Sequence, residues 1–161
     1  MFSKYIKDLA TETLDLCRKN KLKIATAESL TGGLIIGALT EIPGSSDVVE
    51  FGFITYTSLA KQKSLNVSPA TLNSFGEVSE QTAKEMVFGA LVESEASIAI
   101  SITGIAGPHG GEKESIGLVH MAAQKLGNDP LHEKHQFGNI GRAEVREASI
   151  IAALNLLKKV V

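Results

Sequence analysis

Between Leu22 and Leu39 the chain passes from strand to helix through one short turn, and that unit sharply limits the folds open to it. Leu22-Lys23-Ile24-Ala25-Thr26-Ala27 reads as a short strand. Glu28-Ser29-Leu30-Thr31-Gly32-Gly33 is turn-like, and residues 34–39 form an apolar run suited to a buried helix. Helical and strand patterns stay interspersed along the rest of the chain, which is the signature of an α/β protein.

Residues 2–18 predict an amphipathic helix, with Ile6, Leu9, Ala10, Thr13 and Cys17 on one stripe and Asn20 as its terminator. After turn chemistry at 41–46, residues 48–56 predict a strand with Val49, Phe51 and Phe53 on one side and Glu50 and Gly52 on the other. Two short helices follow at 59–65 and 69–75, the second with Ser68 as N-cap and Pro69 as its first residue. A longer helix opens at Ser79-Glu80-Gln81, and Ala83, Met86, Val87, Ala90 and Leu91 recur at helical spacing. Residues 97–103 predict a strand ending in a glycine cluster, 116–123 and 131–137 a strand pair joined across Gly127-Asn128-Asp129-Pro130, and 142–160 a closing helix. This order predicts one domain over 1–161. Its sheet is covered by helices on both faces and is mixed because of the late hairpin.

Composition narrows the function. The 161 residues carry 16 Lys+Arg and 18 Asp+Glu, a net charge of −2, without a basic cluster and with no Trp, which argues against a nucleic-acid surface. A spanning helix needs about 20 mostly apolar residues, and the longest uncharged stretch, 96–111, is broken by Ser, Thr, Pro, His and several glycines. The charged N-terminus lacks the apolar core of a signal peptide, so the expected location is the cytoplasm and the expected partner a small molecule rather than a membrane. One cysteine, Cys17, makes neither an internal disulfide nor a Cys-based zinc site.

Three segments carry chemistry. In Thr26–Gly33, Ser29 stands where a strand meets a helix start, so backbone N–H groups are available to an anion, as a serine nucleophile requires. The alternative is that Ser29 merely caps the helix while Gly32 and Gly33 permit close packing. In Thr55-Tyr56-Thr57-Ser58-Leu59-Ala60-Lys61, Lys61 can act as a base for a serine if its pKa is depressed, and Tyr56 can donate its hydroxyl or stack on a ring; alone, Lys61 reads as a solvated charge and Tyr56 as a half-buried strand residue. In Thr103–Gly111, Gly104, Gly107, Gly110 and Gly111 follow a strand directly and suit a loop that approaches a ligand, although neither a Walker A nor a G-x-G-x-x-G pattern is present. His132 and His135 fall on opposite faces of their strand and should not share a metal, and His120 reads as structural. Arg142 and Arg146, one turn apart, can meet a phosphate or form a solvated helix face.

Taken together these blocks resemble the C-terminal domain of the competence/damage-inducible CinA family, which also occurs as a stand-alone nicotinamide-nucleotide amidase. The resemblance rests on Thr26–Gly33, Pro43-Gly44-Ser45-Ser46, Thr55-Tyr56 through Ala60-Lys61, Val78-Ser79-Glu80, Thr103–Gly111 and Val145-Arg146, in the family's order. It implies a three-layer α/β/α sandwich that commonly dimerises. It also implies hydrolysis of the carboxamide of nicotinamide mononucleotide to nicotinic acid mononucleotide and ammonia, in pyridine-nucleotide salvage, with no metal or cofactor. The length matches the stand-alone form. Carried onto this chain, Ser29 is the nucleophile, Lys61 its base and Tyr56 a supporting group. Leu30, Thr31, Gly32 and Gly33 offer N–H groups to the oxyanion and substrate, and Thr103, Gly104, Gly107 and Arg142 hold the nucleotide. The chain departs from the family at His109, usually Asp, at 112–116, which lacks a Lys-Pro, and at Gly141, where the family has Asp before the arginine; these changes bear on how the ribose and ring are held. A non-catalytic nucleotide-binding relative and a Ser-Lys hydrolase of another small amide are the competing readings. Retention of Ser29, Tyr56 and Lys61 together favours an enzyme.

Overall fold

The structure, a computed structural model, describes residues 1–108 and 115–161. Its elements run α1 (Lys4–Lys19), β1 (Ile24–Glu28), α2 (Leu34–Thr40), a 3-10 turn (Ser45–Asp47), β2 (Val49–Ile54), α3 (Ser58–Leu65), α4 (Pro69–Phe75), α5 (Glu80–Val92), β3 (Ile98–Gly104), β4 (Leu118–Lys125), β5 (Leu131–Gln136) and α6 (Arg142–Lys159). The strands form one mixed sheet in the order β2-β1-β3-β4-β5. β1 is parallel to both β2 and β3, whereas β3–β4 and β4–β5 are antiparallel.

Helices cover both faces, as the α/β/α reading requires. Alternation in β3 explains the two layers: Ile98, Ile100 and Ile102 point into a core shared with α1, α2 and α6, while Ala99 faces α5. Small residues dominate that second face, with Ala25, Ala27, Ala99 and Ala122 lying under Ala83, Met86, Val87 and Ala90 of α5. α5 in turn packs tightly on α3, where a methyl group on Gly89 would overlap the Leu65 carbonyl. No helix among the described residues is long and apolar enough to cross a membrane.

Two expectations need correction. Phe51 is 48% exposed. A bulge between Ile24 and Ala25 pairs them with Val49 and Phe51, so the strand's phase changes at Glu50, and Val49 and Phe53 join opposite cores. β2 is also an edge strand, and Phe51 stacks on Phe53 with ring centroids 4.4 Å apart. β4 begins at Leu118 rather than 116, because Gly117 has φ +84, outside the extended range of a strand, although its N–H still donates to Ile105 O and its carbonyl still accepts from Phe137 N.

The topology fixes where a site can form. From β1 the chain crosses to β2 on one side through α2, and from β2 it returns through α3, α4 and α5 to β3 on the other. The carboxyl end of β1 therefore lies at a switch point, where open α/β sheets leave a crevice.

Candidate active site

That crevice is a cleft of about 460 Å³, bordered by Ser29, Tyr56, Glu77, Thr103, Gly104 and Arg142 among others. Ser29 follows the last residue of β1, and its N–H donates to Ile102 O of β3 at 3.1 Å. It is 7% exposed, open only toward the cleft. Lys61 comes from α3, whose N-cap Thr57 accepts the N–H of Ala60 at 3.1 Å. Its side chain is completely buried, and Nζ donates to Ser29 Oγ at 3.1 Å and to Thr55 O at 2.9 Å. Both acceptors are neutral, and Lys61 makes no ion pair among the described residues. Burial therefore pushes its pKa below the usual lysine value, with the nearby Glu77 carboxylate opposing the shift.

The turn after Ser29 is built from three directions. Glu28, the last residue of β1, is fully buried and faces away from Ser29. Its carboxyl accepts the N–H groups of Gly33 (3.1 Å), Ile35 (3.0 Å) and Ile36 (2.9 Å) at the start of α2. The helix cap is thus Glu28 and not Ser29, whose hydroxyl is left to Lys61. It also means the N-terminus of α2 already holds a carboxyl, so that end is not open to a substrate anion. Gly32 and Gly33, with φ +59 and +91, make the turn possible.

Arg146 on α6 supplies the third support, donating from Nε to Leu30 O and from Nη2 to Thr31 O, both at 3.0 Å. Of the sequence expectations for this arginine, neither the phosphate contact nor the solvated face describes its place. A trans peptide points its N–H opposite its C=O. Drawing the Leu30 carbonyl toward α6 turns the Thr31 N–H the other way, while Ser29 O, accepting from Gly32 N at 3.1 Å, does the same for the Leu30 N–H. The N–H groups of Leu30 and Thr31 make no hydrogen bond among the described residues, whereas those of Gly32 and Gly33 are already engaged by Ser29 O and Glu28.

Also lining the cleft, Arg142 donates to Gly107 O at 2.8 Å and to Tyr56 OH at 3.3 Å, which brings three of the expected residues together. Tyr56 itself is exposed and makes no hydrogen bond with Ser29 or Lys61 among the described residues. Thr103 is buried and its Oγ1 donates to Glu77 O at 2.7 Å, while Gly104 ends β3 against the Leu118 backbone. His109, Gly110 and Gly111 of the glycine cluster, and most of 112–116, lie outside the described residues. His120 Nδ1 and His132 Nε2 sit 3.0 Å apart on the α5 face, and His135 pairs with Glu133 on the other, so 132 and 135 do point apart. Glu28 and Glu77 were not singled out in the sequence. Glu28 carries a weak signal, an acidic residue just ahead of a helix start, but Glu77 meets Ser58, 19 positions away, through a fold contact that no spacing rule reveals.

Residues 6–161 match the CinA C-terminal domain family. The chain is 41% identical to a competence-damage inducible protein of Caldicellulosiruptor saccharolyticus over all of its own length and 40% of that relative's. It is 45% identical to a CinA-like protein of Chloroherpeton thalassium, covering 90% of this chain and 35% of the relative. It therefore spans well under half the length of these curated relatives. Among solved structures, the competence/damage inducible protein CihA of Agrobacterium tumefaciens superposes with a TM-score of 0.94 at 47% identity, covering 98% of this chain and 96% of that one. A CinA superfamily protein of Escherichia coli does so with a TM-score of 0.89 at 31% identity, covering 98% and 92%. The chain belongs to the CinA C-terminal domain family.

Proposed function

We propose that this chain is a Ser-Lys amidase that hydrolyses the carboxamide of nicotinamide mononucleotide to nicotinic acid mononucleotide and ammonia. The observation that carries the reading is the 3.1 Å contact between Lys61 Nζ and Ser29 Oγ, buried at the floor of an open cleft. Neutral Lys61 takes the Ser29 proton as Oγ attacks the amide carbon. The oxyanion of the tetrahedral adduct meets the N–H groups of Leu30 and Thr31, which have no hydrogen-bond partner among the described residues. Lys61 then passes its proton to the departing nitrogen, ammonia leaves, and an ester on Ser29 remains. Water, deprotonated by Lys61 in the same way, cleaves that ester and restores the serine. Arg142, presented by Gly107 and Tyr56, gives the nucleotide phosphate a cation in the same cleft.

Purified protein incubated with nicotinamide mononucleotide is expected to release ammonia and nicotinic acid mononucleotide in equal amounts. Saturable binding of the nucleotide with no ammonia released would instead describe a non-catalytic relative, and release from simple amides regardless of the phosphate would describe a different amidase.

A further inference from the structure

Thr55 follows β2 and is 1% exposed, yet its Oγ1 has no hydrogen-bond partner among the described residues. A buried hydroxyl without a partner destabilises the resting fold. The backbone shows which way this one points. Thr55 N–H donates to Glu28 O at 2.8 Å and so extends the parallel pairing of β1 and β2 by one residue. Alternation therefore carries on past Ile54: Phe53, two positions earlier, lies in the core with Leu65 of α3 and the apolar face of α5, and the Thr55 side chain takes that same face. Lys61 reaches in from α3, and its Nζ donates to Thr55 O at 2.9 Å. Oγ1 is joined to that carbonyl oxygen through the residue's own C, Cα and Cβ, so the amine and the unpartnered hydroxyl are neighbours. Thr26 Oγ1 is also buried and unpartnered, but it lies on the α2 face beside Gly52 and Ile36, away from the base.

We infer that Thr55 is a positioning residue for the base: its hydroxyl accepts the third N–H of Lys61 once Lys61 carries the Ser29 proton. This inference rests on the amidase reading and adds to it the group that steadies the proton carrier. An ammonium has three N–H donors and no acceptor. In the resting site Nζ has two acceptors, Ser29 Oγ and Thr55 O, and makes no third hydrogen bond among the described residues. Transfer of the Oγ proton turns the buried amine into a buried cation with one N–H unpaired, and such a charge is costly until its donors are met. Thr55 Oγ1 takes that N–H. Together with Thr55 O it grips the head of the lysine between two oxygens of one residue while the proton is redirected from Oγ to the departing nitrogen. The contact favours charged Lys61 against the effect of burial and in the same sense as Glu77, the charged group whose influence reaches the amine.

The test compares Thr55→Val, which keeps the branched shape and the backbone carbonyl but removes the hydroxyl, with Thr55→Ser, which retains it. Thr55→Val deletes an unpartnered buried hydroxyl and is expected to melt no lower than wild type. It should nevertheless lower kcat for nicotinamide mononucleotide about tenfold while KM stays within about twofold. The acid limb of its rate profile should move to lower pH, and so should the Lys61 titration followed by NMR in protein labelled with carbon-13 at lysine Cε, shifts that a merely structural role would not produce. Thr55→Ser should restore kcat to within about twofold of wild type, together with both pH midpoints. Unchanged kcat and an unchanged Lys61 titration in Thr55→Val overturn the role of Thr55 while leaving the amidase reading intact. A loss of kcat that tracks a lower melting temperature, with both pH midpoints unmoved, overturns it equally. If wild-type protein releases no ammonia, the amidase reading fails, and the NMR titration still decides whether the Thr55 hydroxyl holds the Lys61 ammonium: a lower midpoint in Thr55→Val upholds that contact, and the same midpoint removes it.

Discussion

The carboxyl of Glu28 accepts the N–H of Ile36 at 2.9 Å across the turn that carries Ser29, and takes the N–H groups of Gly33 and Ile35 on its other oxygen. A strand residue thereby caps the helix that follows the nucleophile. Glu28→Ala leaves three backbone donors unpaired, that of Ile35 buried and those of Gly33 and Ile36 part-buried, and is expected to destabilise the protein by about 3 kcal/mol. Glu28→Gln keeps one acceptor but turns an amide N–H₂ against a donor, so it should cost about half as much. Chemical denaturation of the two variants measures the difference, and equal stabilities would contradict this capping role.

Arg146 holds the carbonyls of Leu30 and Thr31 with two N–H groups of one planar guanidinium. Lysine cannot reproduce that fork. Arg146→Lys is therefore expected to lower kcat at least tenfold with little change in KM, because the oxyanion donors lose orientation while the substrate contacts stay in place. Steady-state ammonia release separates the two parameters.

Gly89 lets α5 touch the backbone of α3 at Leu65, one turn after Lys61. A methyl group there forces α3 outward. Gly89→Ala is expected to cost about 2 kcal/mol and to depress activity further than the stability loss explains, since Lys61 moves away from Ser29. Activity assayed well below the variant's unfolding temperature checks this.

Much of this arrangement was legible before the fold was known. The strand–turn–helix around Ser29 and the end of β3 at Gly104 were read from local pattern, and the order of elements gave the layered α/β architecture. The bulge opposite Ile24 was not legible, because a register shift depends on the partner strand rather than on residues 48–56 themselves. Arg146 read as phosphate-binding or solvated, and its true partners are carbonyls more than 100 positions earlier in the chain. For Glu28, the strand-to-helix position was recognised but credited to the hydroxyl beside it.

Lys61 also makes stability depend on pH. Burial lowers its pKa in the folded state below the ordinary 10.5. Between the two values the unfolded chain binds the proton and the folded one does not, so stability rises with pH across that window and is lost as pH falls through it. Lys61→Met removes this slope. Thermal unfolding of both proteins followed from neutral to alkaline pH should show a rising melting temperature for wild type and a flatter curve for the variant over the same range.

The most direct test of the central claim is the rate of ammonia release from nicotinamide mononucleotide by wild type, Ser29→Ala and Lys61→Ala, each confirmed to be folded. The 3.1 Å contact between Lys61 and Ser29 predicts that either substitution lowers kcat at least about 10³-fold, and that combining them costs little more than one alone, because the pair acts as a unit. Activity that survives in either single variant would contradict the account.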